Sequence, residues 1–166
     1  MAYLQRSGGQ ILLLLLSLVG AGIAIYLTAV HYENVPLICS ANGVIDCARV
    51  LSSPYSVIPG TSVPITIPGL GWCIVNAALA IAGWRLVSRQ RWLNVAQLLW
   101  SLVGMLTVLY LVYVEIVRLH TICAWCTGLH VLILFIFLIT LIRLQQAQEP
   151  EPERVDEKPT VTTGRR

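Results

Sequence analysis

Five cysteines, at positions 39, 47, 73, 123 and 126, are the side chains in this sequence best suited to chemistry. Four of them form two pairs. Cys123-Ala-Trp-Cys126 is a C-x-x-C, and Cys39 and Cys47 are separated by the seven residues Ser-Ala-Asn-Gly-Val-Ile-Asp. The Asn42-Gly43 step is a turn signal that could bring the two loop sulfurs together. Each pair alone has a plain reading. Cys39 and Cys47 could staple a loop, and the C-x-x-C could be half of a zinc site completed by His120 or His130. Together they fit thiol–disulfide exchange, in which one pair passes electrons to the other. A helix opening at Cys123 would offer unpaired N–H groups and a partial positive charge. Both stabilise the thiolate, the species that attacks a disulfide.

The elements that must position these pairs belong to a membrane. The chain of 166 residues is 57% hydrophobic and 11% charged, with a mean hydropathy of +0.76. A soluble domain carries about a quarter charged residues, so an ordinary soluble fold is excluded. Nearly half of the charged residues follow residue 147. The net charge is +3 with scattered Arg residues, which gives no sign of nucleic-acid binding.

Charge spacing marks four apolar windows of spanning length, at about residues 10–31, 69–88, 92–115 and 122–143. The first has one Arg before it and no small-x-small site ahead of Tyr26, against a cleaved signal peptide. Residues 1–147 are therefore expected to be an all-α membrane protein, a four-transmembrane-helix bundle with an outer loop at 32–68. Residues 148–166, rich in Glu, Pro, Lys and Thr and without aromatics, read as a disordered tail. Arg6, Arg85, Arg89, Arg91 and Arg143 lie at the termini and in the second-to-third loop, against Arg49 and Arg118 in the other two loops. The positive-inside rule then makes both termini and the tail cytoplasmic, with Trp84 and Trp92 as interface anchors. Cys39, Cys47, Cys123 and Cys126 fall on the extracytoplasmic side, where disulfides persist.

In this frame Cys126 lies three residues along the fourth helix from Cys123, on the same face but deeper in the membrane. One sulfur can meet the aqueous loop while the other meets a lipid-soluble oxidant. The simplest small hydrophobic two-electron carrier is a quinone. His130, one turn deeper on the same face, either packs against a neighbouring helix or lines the quinone pocket. Glu115 reads as a boundary ion pair with Arg118, three residues on. Cys73, without a partner at its depth, reads as a small core residue.

Cys39 with Cys47, the following Arg49-Val50-Leu51-Ser52-Ser53, the Pro/Gly-rich run to Gly71, and Cys123-Ala-Trp-Cys126 opening the last helix resemble the vitamin K epoxide reductase family. The resemblance covers roughly residues 8–144. It implies a four-helix bundle around a quinone, capped by the cysteine-bearing loop. It further implies that Cys123 and Cys126 are the active-site pair, with Cys126 reacting with the quinone. Cys39 and Cys47 become the shuttle pair, Cys39 meeting the partner and Cys47 exchanging with Cys123. Ser53 matches the family's serine beside the quinone. His130 stands where vertebrate members have a quinone-binding tyrosine, and no asparagine in 54–71 matches theirs.

The sequence thus points to a multi-pass protein, of the bacterial inner membrane by its short loop and Arg-rich inner turn. It would oxidise a separate thioredoxin-fold protein (DsbA-like or PDI-like) and reduce menaquinone, ubiquinone or vitamin K, with no metal. A secretory-pathway vitamin K or epoxide reductase is the rival within enzymology. A non-enzymatic membrane protein with structural disulfides is the rival outside it. Another family of bacterial disulfide oxidases places its C-x-x-C in the first outer loop, the reverse of the order here.

Overall fold

A computed structural model describes residues 2–33, 37–39, 44–85 and 90–146. The Asn42-Gly43 turn and the tail at 148–166 lie outside the described residues. Five α-helices account for most of the rest: α1 (Ala2–Glu33), the short α2 (Cys47–Leu51), α3 (Thr66–Arg85), α4 (Gln90–Tyr113) and α5 (Ala124–Gln146). A 3-10 turn, Pro54–Ser56, follows α2, and α4 continues as a π-helical turn, Val114–Leu119. There is no strand among the described residues, only two isolated bridges.

Four stretches are long and apolar enough to cross a membrane: Gly8–Glu33, Thr66–Arg85, Trp92–Leu119 and Ala124–Gln146. Helices suit hydrocarbon because each satisfies its own backbone hydrogen bonds. The third helix begins at Thr66, ahead of Pro68, because proline lacks only a donor that the first turn leaves unpaired anyway. Leu15, Leu18, Val19, Leu99, Leu106 and Leu109 are exposed, the surface that lipid would cover.

The helices pack in two hairpins, α1 against α3 and α4 against α5. Small residues and buried polar side chains hold them, as expected where apolar burial gives no preference over lipid. A Cβ at Gly20 would lie 3.1 Å from Cys73 Sγ, so α1 and α3 approach closely there. Asn76 Nδ2 donates to Ser17 Oγ at 2.8 Å, and the Thr28 and Thr66 hydroxyls share a 2.7 Å bond. Ser101 and Thr140 join α4 to α5 at 3.0 Å. Between the hairpins, Trp72 Nε1 donates to the Trp100 carbonyl at 3.0 Å and Trp100 Nε1 to the Trp72 carbonyl at 3.2 Å. Gly104 makes room for the Trp72 indole. Leu13, Trp72, Cys73, Ala80 and Ile136 form the buried core, so Cys73 is a core residue with a free thiol.

The loop between α1 and α3 folds over one end of the bundle. Asp46 caps α2, its Oδ1 accepting from the Arg49 N–H at 3.0 Å. Just before the cap, Ile45 forms a parallel bridge with Ile122. Ile122 N–H donates to the Val44 carbonyl at 2.9 Å and Asp46 N–H to the Ile122 carbonyl at 3.1 Å. Thus the chain entering the loop helix is fastened to the chain entering α5.

Candidate functional site

Both cysteine pairs meet at this loop-covered end. Cys39 and Cys47 form one disulfide, with Cα atoms 6.3 Å apart, and Cys123 and Cys126 form the other, with Cα atoms 5.2 Å apart. Cys47 opens α2 and is 1% exposed, and Cys123 just ahead of α5 is fully buried. The Ile45–Ile122 bridge brings the two segments together: Cys47 follows it by two residues on one side and Cys123 by one on the other. Cys39 and Cys126 are half-buried.

The α5 N-terminus acts on the C-x-x-C directly. Cys126 N–H points back to Cys123 Sγ at 3.2 Å. Such a donor stabilises negative charge on that sulfur when the pair is reduced, together with the positive end of the helix.

Cys39 is held from two directions. Tyr26 on α1 accepts the Ile38 N–H at 3.1 Å, and Trp125 Nε1 donates to the Ile38 carbonyl at 2.9 Å. Their rings touch, with centroids 5.0 Å apart. Trp125 lies inside the C-x-x-C, so one residue of that motif grips the neighbour of a loop cysteine.

Beneath the loop lie two adjoining cavities. The smaller, about 60 Å³, is lined by Ser53, Tyr55, Glu115, Cys126, His130 and His31 among others. The larger, about 430 Å³ and overwhelmingly apolar, runs between α3, α4 and α5 past Trp72, Trp100 and Leu129. Cys126 and His130 line both. A volume of that size is in the range of cavities that enclose a small organic molecule.

The comparison with protein-family models matches residues 11–141 to the vitamin K epoxide reductase family. The chain belongs to that family. Membership makes it a membrane oxidoreductase, and the matched stretch contains both disulfides and both cavities. The comparison with curated proteins gives no match. Family members act on quinone-type substrates, and among the described residues no group of His, Cys, Asp and Glu could hold a metal ion.

Of the residues singled out from sequence, Cys39, Cys47, Cys123 and Cys126 are gathered at one end. Ser53 and His130 line the smaller cavity. Ser53 Oγ is engaged with the Val50 carbonyl at 2.7 Å, and His130 is 7% exposed. The expected Glu115–Arg118 ion pair is absent. The π-helical turn widens the spacing on which an i, i+3 pair depends. Arg118 turns outward, donating through Nε to Tyr55 OH at 3.1 Å with its guanidinium 5.8 Å from the ring centre. Glu115 turns inward, 6% exposed. Sequence reasoning also missed Tyr26, Trp125, Tyr55 and the Trp72–Trp100 contact. Glu115 left a signal, as the acid at the outer end of the third span.

Proposed function

We propose that this protein is a quinone-dependent thiol–disulfide oxidoreductase that supports disulfide-bond formation. A separate thioredoxin-fold protein delivers two electrons to Cys39–Cys47. Cys47 passes them to Cys123–Cys126, and Cys126 passes them to a quinone. The observation that carries this reading is the double position of Cys126. It is disulfide-bonded to a cysteine beneath the loop, and it borders an apolar cavity at membrane depth.

Chemistry follows from that placement. The partner's thiolate attacks Cys39, and Cys47 leaves as a thiolate already packed near Cys123. Cys47 then attacks Cys123, releasing Cys126, and the partner's second thiol resolves the first mixed disulfide. When the Cys47–Cys123 bond is resolved by Cys39, the loop disulfide is restored and the helix pair is a dithiol. A quinone in the larger cavity would meet the Cys126 sulfur with His130 beside its polar ring, and the ring end would face Ser53 and Glu115 in the adjoining smaller cavity. Lipid-soluble tails suit the apolar walls around Trp72 and Trp100. The Arg distribution supports a bacterial cytoplasmic membrane with both termini inside and all four paired cysteines outside.

The test is anaerobic mixing of the purified protein with a reduced thioredoxin-fold protein and a menaquinone analogue, followed optically. Stoichiometric quinone reduction that vanishes in Cys126→Ser is expected. Quinone left oxidised while both disulfides resist the partner would make them structural staples. Preferential turnover of a quinone epoxide would favour the vitamin K reductase reading instead.

A further inference from the structure

The relay leaves two protons unassigned. Each quinone reduced breaks two S–H bonds, forms one S–S bond, sends two electrons to the ring and requires two protons on its oxygens. The site is nearly closed to water: Cys123 is fully buried, Glu115 is 6% exposed and His130 is 7% exposed. A thiol this enclosed cannot lose its proton to bulk water at useful rates, so a group inside must take it.

Glu115 is placed for that task by three features. It is the only acid within the described spans that is not itself a span terminus, and it lies about one turn inside the outer end. The π-helical turn carries it into the smaller cavity, which Cys126 and His130 also line. Insertions of this kind in an α-helix occur often at functional sites. Glu115 shares that cavity with one sulfur of the C-x-x-C, and its backbone lies beside the segment that leads into Cys123, the sulfur that must become nucleophilic. The backbone holds it there: the Glu115 carbonyl accepts the N–H groups of both His120 and Thr121, with His120 in the left-handed conformation at φ 53°. The cation available three residues on is committed to Tyr55.

We propose that Glu115 is a catalytic acid–base that takes the proton of the Cys123 thiol and delivers it to a ring oxygen of the quinone. Cys126 sulfur bonds to the ring, and Glu115 removes the Cys123 proton. Cys123 sulfur then attacks Cys126 sulfur, the bond to the ring breaks, and its electron pair stays with the ring. Glu115 returns its proton to one ring oxygen, and the Cys126 proton reaches the other through His130. Two S–H protons and two electrons thus become the quinol, with one disulfide formed. The other titratable groups facing Glu115 are His31 from α1, Tyr55 from the loop, and Cys126 and His130 from α5.

This role rests on quinone reduction as proposed above, and one experiment separates the two. Prereduced wild-type protein, Glu115→Gln and Glu115→Ala are mixed with a menaquinone analogue in single turnovers across pH. The Gln variant is expected to reduce quinone about 100-fold more slowly, the usual scale for a lost acid–base group. Its quinone affinity should change only a few-fold. Its pH profile should lose one ionisation from the acid side, where the wild type slows as the carboxylate is protonated. Formate should restore part of the Ala variant's rate, a response that a merely structural acid would not give. If Glu115→Gln works within threefold of wild type with an unchanged profile, the role is overturned alone. If wild type itself leaves the quinone oxidised, the functional reading falls and the role with it.

Discussion

Residue scale separates the four paired cysteines by environment. Cys47 and Cys123 are sealed, whereas Cys39 and Cys126 are half-buried, one toward the loop and one toward the cavity. Cys126→Ser is therefore expected to abolish quinone reduction with any reductant. Cys39→Ser should slow turnover far more with a protein reductant than with dithiothreitol, which can reach the helix pair unaided. Equal loss with both reductants in both variants would refute a two-stage relay. The cysteine pairs were legible because their chemistry is carried by residue type and spacing alone. Glu115 was not, because pairing it with Arg118 assumed 3.6 residues per turn. The π-helical turn breaks that assumption, and no propensity in Val114–Leu119 announces it. His130 was legible as a polar residue one turn from Cys126 inside a span. Tyr26 was not, since nothing local links it to Ile38, twelve residues away.

At the scale of elements, the Ile45–Ile122 bridge makes a specific relay intermediate accessible. In a Cys39→Ser, Cys126→Ser double variant, Cys47 and Cys123 keep no native partner and sit on bridged segments. Mass spectrometry after proteolysis under oxidising conditions should find them linked. Both thiols remaining free would mean that the loop pair never reaches the helix pair. The short α2 depends on its cap, since five residues cannot sustain a helix alone. Asp46→Ala should cost about 1 kcal/mol locally, seen as roughly fivefold faster hydrogen exchange at Val50 and Ser52. The grip of Tyr26 and Trp125 on Ile38 should bias the loop pair toward its closed form. Tyr26→Phe removes one hydrogen bond of about 1 kcal/mol, equivalent to about 20 mV in the loop-pair potential. A redox titration against glutathione should show that pair more easily reduced, with the Cys123–Cys126 potential unmoved.

For the whole molecule, four spans could be read from hydropathy because lipid imposes length and composition together. Which spans pair could not be read so directly. It follows from Gly20 beneath Cys73, Gly104 beneath Trp72 and the matched hydroxyls of Ser101 and Thr140, all of them contacts across the bundle. Gly104→Leu should force the Trp72 indole away and break the reciprocal Trp bonds. Overpacking of this kind costs about 1–3 kcal/mol, measurable as a lowered Tm in detergent alongside weaker quinone binding. Orientation is open to a direct check. A membrane-impermeant thiol reagent should label reduced Cys39 from outside intact cells or right-side-out vesicles. Labelling only from the cytoplasmic side would reverse the topology and remove the relay's access to its partner.

The hairpin arrangement also bears on how the chain is made. α1 and α3 are consecutive spans, and their shared bonds, Asn76 to Ser17 and Thr66 to Thr28, need nothing beyond residue 85. Cys39 and Cys47 can therefore pair while α4 and α5 are still being synthesised, before Ile122 and Trp125 arrive to fasten their loop. Cys123 and Cys126 arrive last, three residues apart, with the earlier sulfurs already occupied by each other. The order of translation thus guards against mispaired disulfides in a protein whose proposed relay needs those same sulfurs to exchange.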